Sequence, residues 1–174
     1  MEKLANINAL RELRTRLEKE TFSPDTPRIR ACAGTACTAS GAHKVIDAIT
    51  GEAKRKGVDV DVVKTGCQGL CQKGPVMVVE PQNFFYQKIK PEHAAWLINH
   101  TVVGGTPYRQ GLFRESFLSE PIPLMTDMPF YQKQFRIALK NNGRIDPGKI
   151  YHYIAVGGYS ALEKALSSMA PDQV

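Results

Sequence analysis

The stretch Gly66-Cys67-Gln68-Gly69-Leu70-Cys71-Gln72-Lys73-Gly74-Pro75 sets two thiols four positions apart among three glycines and a proline. By spacing alone such a pair fits one face of a helical turn. The glycines point to a loop instead, because Gly66, Gly69 and Gly74 lack a Cβ, reach positive φ and let backbone N–H groups turn toward a compact object. A second pair lies upstream in Ala31-Cys32-Ala33-Gly34-Thr35-Ala36-Cys37, again around a glycine, and these four are the chain's only cysteines. The fold is therefore expected to bring two cysteine loops to one end of a sheet.

Four thiols in two loop pairs can hold a tetrahedral zinc ion, a [4Fe–4S] or [2Fe–2S] cluster, or form disulfides. An even cysteine count suggests disulfides in a secreted miniprotein, but this chain has 174 residues and its start, Met1-Glu2-Lys3-Leu4-Ala5-Asn6-Ile7, lacks the apolar segment of a secretory signal. A cytoplasmic location and metal or redox chemistry are expected. Structural zinc knuckles and dithiol oxidoreductases both favour Cys-x-x-Cys, which is absent. Plant-type ferredoxins share the first Cys-x4-Cys but place the third cysteine close behind it, whereas here the gap is about thirty residues. A gap bridged by a helix and a strand suits a binuclear cluster with one pair on each iron. Zinc, or a structural or docking subunit with non-redox cysteines, remains the alternative.

The net charge of +6 raises the question of nucleic acid. Lys and Arg are scattered, and the densest group, Lys54-Arg55-Lys56, falls at an expected helix end, where cations are favourable. With no nucleic-acid motif alongside, an acidic protein partner fits better than nucleic acid. No apolar run approaches the roughly 18 residues of a membrane span, so no membrane insertion is expected.

Leu4, Ile7, Leu10, Leu13 and Leu17 recur at helical spacing and predict an amphipathic helix from about residue 3 to 20, with Pro24 and Pro27 separating it from the remainder of the chain. From Arg28 the pattern is α/β. Arg28–Cys32 reads as a strand. Ser40 is placed to cap a helix to Lys56 with Val45, Ile46, Ile49 and Ala53 inward and Gly57 as its stop. Val58–Val63 alternates as a strand, Val76–Val79 reads as a buried strand, and Phe84–Tyr86 pairs with it. A last helix begins at Pro91 with Ala94, Ala95, Leu97 and Ile98 apolar. The order β-α-β-β-β-α is that of a thioredoxin-like sandwich. Residues 105–129 have no period and read as a linker or wrapping arm. Beyond it, helices are expected over Tyr131–Asn141, from Asp146-Pro147 to Gly157-Gly158, and from a capping box at Ser160–Glu163 to about Met169. His43, His93, His100 and His152 have no ligand spacing. Trp96 and Tyr86 are read as core aromatics, with an electron path as the sharper alternative.

Cys-x4-Cys followed by Cys-x-Gly-x-Cys-x-x-Gly-Pro resembles the thioredoxin-like [2Fe–2S] ferredoxins, a family that includes the small iron–sulfur subunit of respiratory complex I and its hydrogenase and formate dehydrogenase relatives. The resemblance covers residues 28 to 104. It implies Cys32, Cys37, Cys67 and Cys71 as the cluster ligands, with Gly69, Gly74 and Pro75 on the family's loop positions.

The tail carries a second resemblance. Gln134–Leu139, Asn142-Gly143, Ile145-Asp146-Pro147 and Tyr153–Leu162 look like the opening of the flavin-binding NADH dehydrogenase subunit, which in multimeric hydrogenases and NAD(P)-linked dehydrogenases often follows such a ferredoxin domain. The implied organisation is an N-terminal helix (1–22), a ferredoxin domain (28–104), a linker (105–129) and an incomplete flavoprotein start (130–174). Other iron–sulfur and flavin subunits are the implied partners, with FMN and NAD(P)H binding only in a longer protein or complex. The glycine pairs Gly104-Gly105 and Gly157-Gly158 lack the glycine-rich context that grips nucleotide phosphates. Titration of the purified chain with FMN and with NADH, monitored by calorimetry and flavin fluorescence, is expected to give no stoichiometric tight binding; tight binding of either would reveal a nucleotide site within these residues.

Overall fold

A computed structural model of the chain describes residues 4–22 and 26–174. Residue 3, the expected start of the first helix, and Pro24 lie outside the described residues. The described residues divide into two compact units, one formed by residues 26–145 and the other by residues 4–22 together with 146–174.

The larger unit is built on a sheet of β1 (Arg28–Cys32), β2 (Asp61–Thr65), β3 (Met77–Glu80) and β4 (Phe84–Tyr86) in the order β2-β1-β3-β4. The β1–β2 pair is parallel and the other two are antiparallel. Between β1 and β2 run two helices, α2 (Thr35–Ala39) and α3 (Ala42–Lys56). After β4 the chain makes a 3₁₀ turn at Pro91–His93, one α turn, α4 (Ala94–Trp96), and a π-helical stretch over Leu97–Val103. The expected thioredoxin-like order is present.

Period-two alternation gives the sheet two apolar faces. Ile29, Ala31, Met77, Val79 and Tyr86 pack with Val45, Ile46, Ile49 and Ala53 of α3 and with Ala94, Leu97 and Ile98. The opposite face, Val76, Val78 and Phe85 with Cys32, packs on Phe113, Met128 and Tyr131. Residues 105–129 are thus a wrapping arm. Bridges Tyr86↔Leu112 and Phe84↔Leu124 cover the outer edge of β4, with Phe85 N–H donating to the Pro123 carbonyl at 2.8 Å. An open sheet edge is a template for unwanted pairing, and this one is occupied. After the arm, α5 (Pro129–Gln132) is a single turn.

Several local expectations shift. Ser40 closes α2 rather than opening α3, which begins beyond Gly41 at φ 91°. Gly57 does stop α3, at φ 64°, with its N–H on the Ala53 carbonyl. Strand β2 starts at Asp61 because Val58 N–H is still bonded to Ala53 of the helix. Ala95 is exposed. No helix forms over 133–141: Phe135, Ile137 and Leu139 keep a period of two, which a helix would scatter round its surface, and all three are exposed, Phe135 by 90%. Within Lys54-Arg55-Lys56, Arg55 and Lys56 pair with Glu52, and Lys56 also reaches Asn99.

In the smaller unit, α1 (Ile7–Phe22), capped by the Asn6 side chain on Ala9 N–H, lays Leu17, Leu13 and Leu10 on Ile154 and Ala155 of α6 (Ile150–Ala155). Asp146 begins a turn rather than the helix, its carboxylate accepting from Gly148 N–H at 2.9 Å. α6 closes at Val156, ahead of the expected Gly157-Gly158, where Gly157 at φ 89° turns the chain away; a Cβ at Gly158 would lie 2.4 Å from the Tyr153 ring. The Ser160–Glu163 capping box does not form at the head of α7 (Ser160–Ser168). Tyr159 stands at its N-terminus with φ 63°, and Glu163 turns instead to Arg11 at 2.6 Å and Arg14 at 3.1 Å. Among the described residues no helix is long and apolar enough to cross a membrane.

If the arm belongs to the core of the larger unit, Phe113→Ala should destabilise it by about 3–5 kcal/mol, as truncating a buried aromatic does. Denaturant unfolding measures this, and an unchanged midpoint would show that the arm merely lies on the surface.

Candidate metal centre

The strand register places the four thiols. Cys32 ends β1 opposite Thr65, and Cys67 comes two residues after β2, so both loops leave the same end of the sheet. Cys32 N–H donates to the Val76 carbonyl at 3.0 Å and Ala33 N–H to Thr65 at 2.9 Å, tying the root of the first loop to both neighbours. Cys37 lies on α2 and is buried, as is Cys32; Cys67 is half-buried and Cys71 exposed. The set has an inner pair and an outer pair. The outer sulfurs are 3.7 Å apart, and Cys32 lies within hydrogen-bond reach of both Cys37 and Cys67. The sulfurs form a chain from the interior to the surface. Among the described residues no three His, Cys, Asp or Glu side chains gather round a single point as a lone metal ion would require.

Backbone donors face this chain of sulfurs. Gly34 and Gln68 N–H groups point at the Cys32 sulfur and Val76 N–H at Cys37, and Gly69 N–H donates to Cys67 Sγ at 3.3 Å. Between the inner thiols, the hydrogen bond from Cys37 pulls Cys32 down to about 6, helped against burial by those N–H groups, and the same bond together with burial pushes Cys37 well up. Gly69 N–H favours the Cys67 thiolate, but burial and the sulfurs of Cys71 and Cys32 outweigh it and leave that thiol raised.

The glycines are required by close approach. A Cβ at Gly74 would stand 2.9 Å from Cys37 Sγ, and one at Gly34 would stand 3.0 Å from the Cys67 Cβ. Gly69 has φ 94°, the positive value expected of a residue that turns its N–H inward. Four thiols, a ring of N–H donors and space that any Cβ would fill together suit a compact anionic thiolate-bound group.

Three features were not visible in the sequence. The Gln68 side chain, 2% exposed, has neither its Oε1 nor its Nε2 partnered within the protein. Tyr131 donates its hydroxyl to the Gln68 carbonyl at 2.8 Å across 63 residues of sequence, and burial pushes that phenol well up. Lys73, two residues past Cys71, donates to the Arg114 carbonyl at 2.7 Å and lies over the Phe113 ring at 5.1 Å. The other sequence candidates lie elsewhere. Tyr86 is buried and bonds Thr101 at 2.9 Å; Trp96, 48% exposed, stacks on His100 at 3.6 Å. His93 and His152 each accept a backbone N–H, from Lys90 and Asp146.

A thioredoxin-like sheet with four cysteines at one end defines a cysteine-lined redox-type domain. Residues 22–101 match the family model described as thioredoxin-like [2Fe-2S] ferredoxin. Over 46 residues, 26% of the chain, it is 37% identical to a protein described as "Ferredoxin, 2Fe-2S" from Aquifex aeolicus (strain VF5), of which the match spans 41% of the length. The wild-type thioredoxin-like [2Fe-2S] ferredoxin of Aquifex aeolicus, solved at high resolution, is similar at 22% identity and a TM-score of 0.47, with 52% of this chain and 98% of that one covered. A further structure of a thioredoxin-like [2Fe-2S] ferredoxin from Aquifex aeolicus gives 23% identity and a TM-score of 0.46, covering 49% of this chain and 88% of that one.

Gly74→Ala should cost about 1–3 kcal/mol through overpacking against Cys37. Gly51→Ala, at a helical position of α3 with open space around it, should instead gain up to about 1 kcal/mol. Parallel denaturant titrations test the contrast, and a neutral Gly74→Ala would show that the site is looser than described.

Proposed function

We propose that residues 26–145 form a one-electron transfer module whose Cys32, Cys37, Cys67 and Cys71 hold a [2Fe–2S] cluster, one pair on each iron. The observation that carries this is the convergence of four thiols and four inward N–H groups at one end of the sheet. The cluster, when bound, would take up and release one electron. The protein's part is to deprotonate and fix the thiols, to exclude water from the inner pair by burying Cys32 and Cys37, and to present the outer pair at the surface. Cys71, exposed, marks the side at which a redox partner approaches.

In its fuller setting, this module serves a multi-subunit NAD(P)H-linked oxidoreductase of the hydrogenase, formate dehydrogenase or NADH dehydrogenase type in the cytoplasm. Its partners there are other iron–sulfur and flavin subunits, and FMN and NAD(P)H bind in the longer protein or complex. The succession of a thioredoxin-like ferredoxin domain and a tail resembling the start of a flavin-binding NADH dehydrogenase subunit supports this reading.

Anaerobic reconstitution should give two irons and two acid-labile sulfides per chain, with a visible spectrum that dithionite bleaches. Serine at any one of the four cysteines should weaken or remake that spectrum, whereas Thr35→Ser should leave it intact. Zinc without sulfide would sink the proposal.

A further inference from the structure

One peptide plane joins α5 to the outer cysteine pair. The carbonyl of Gln68 accepts the Tyr131 hydroxyl at 2.8 Å, and the N–H of that same peptide unit, on Gly69, donates to Cys67 Sγ at 3.3 Å. The two bonds run in series, O–H to C=O and N–H to S. A carbonyl that accepts a hydrogen bond withdraws density from its amide and strengthens the N–H as a donor. Tyr131 is held for this task. Its ring packs against Phe85 at 6.1 Å and Phe130 at 5.0 Å, the Arg136 guanidinium lies over its face at 5.0 Å, and the hydroxyl is buried.

The chain around it closes on the same loop. The Phe130 ring lies where a Cβ on Gly69 would touch it at 3.5 Å, and Asn142 faces Gly66. Gly143, at φ 78°, leaves only 3.0 Å between a would-be Cβ and Gln68 Cγ, and its carbonyl is held by Arg30 of β1 at 2.5 Å. Tyr131, Phe130, Asn142 and Gly143 all lie beyond residue 101, where the family match ends.

We propose that Tyr131 is a positioning residue for the redox site, setting the strength of the Gly69 N–H···Sγ bond to Cys67 through the Gln68–Gly69 peptide and thereby raising the reduction potential of the bound cluster. The proposal rests on the electron-transfer reading of the four cysteines. Donors to a ligand sulfur stabilise the more negative, reduced state, so a stronger donor shifts the midpoint upward.

The test uses the full chain, cluster-loaded, in a potentiometric titration monitored by EPR, alongside amide exchange at Gly69 on the chain as isolated. Tyr131→Phe should lower the midpoint and speed Gly69 exchange. Replacing Tyr131 by 3,5-difluorotyrosine, nearly the same shape but a stronger donor, should raise the midpoint and slow that exchange. Ile122→Val, which trims the packing of the arm on the same face of the sheet without touching Tyr131 or the cysteine loop, should leave the midpoint at the wild-type value. Shifts of one sign in both Tyr131 variants, no shift in either, or an Ile122→Val shift equal to that of Tyr131→Phe would overturn the relay. If Tyr131→Phe does not fold, the fluorinated variant alone decides by its sign. A chain that takes up no iron would sink the electron-transfer reading, and the Gly69 exchange rates would then decide the relay by themselves.

Discussion

The parallel pairing of β1 with β2 is the constraint on which the site depends. Its register sets Cys32 opposite Thr65, so that two loops separated by a helix and a strand start side by side. Register in a sheet with two buried faces is strongly specified, since a slip by one residue exchanges the faces. Here a slip would turn Ile29 and Ala31 away from α3 and move Cys32 from its place beside Val76 and Val78. The apolar alternation of β1 and β3 therefore fixes the thiols as firmly as it fixes the core. The loops themselves supply only the last few ångströms.

The elements legible from sequence are those whose pattern has one physical cause. The α3 stripe of Val45, Ile46, Ile49 and Ala53, the strands Arg28–Cys32 and Phe84–Tyr86 and the glycine stop at Gly57 are where periodicity and backbone freedom place them. A local signal misleads where a distant partner overrides it. Ser160 and Glu163 have capping-box spacing, but the Glu163 carboxylate is taken by two arginines of α1, whose several N–H donors replace the single backbone N–H a capping box would offer. Gln134–Leu139 holds good helix formers, yet its apolar residues fall on a two-residue period and the chain there is irregular, turning only from residue 138. The cysteine ladder was legible because only four such residues exist. Its donors from Gln68 and Val76, and the hold of Tyr131 on the loop, were not, since nothing in sequence spacing records which backbone group faces which sulfur.

Burial divides the thiols, and the division stems from topology. Cys32 lies at a strand end inside the sheet and Cys37 on α2 beneath Val76, whereas Cys67 and Cys71 lie in a loop beyond the end of the sheet, Cys67 half-buried and Cys71 exposed. An interior thiolate pair is costly unless donors or a cation compensate it, and the structure supplies N–H groups from Gly34, Gln68 and Val76 for that purpose. The outer pair, through exposed Cys71, has solvent to do part of the same work. A site graded in this way has a natural direction, with its insulated end in the core and its accessible end at Cys71.

The match to the ferredoxin family model ends at residue 101, but the physical domain does not. The second face of the sheet would carry Val78 and Phe85 into water if the arm and α5 were absent, and Phe113 and Met128 of the arm with Tyr131 of α5 are what bury them. Because the same segment goes on to hold Lys73 through the Arg114 carbonyl and Gln68 through Tyr131, packing of the sheet and restraint of the second cysteine loop are one event. The loop that holds Cys67 and Cys71 has no strand or long helix of its own. Its conformation is imposed by the arm, and the firmness of that hold is set by residues which no cysteine spacing would bring to attention.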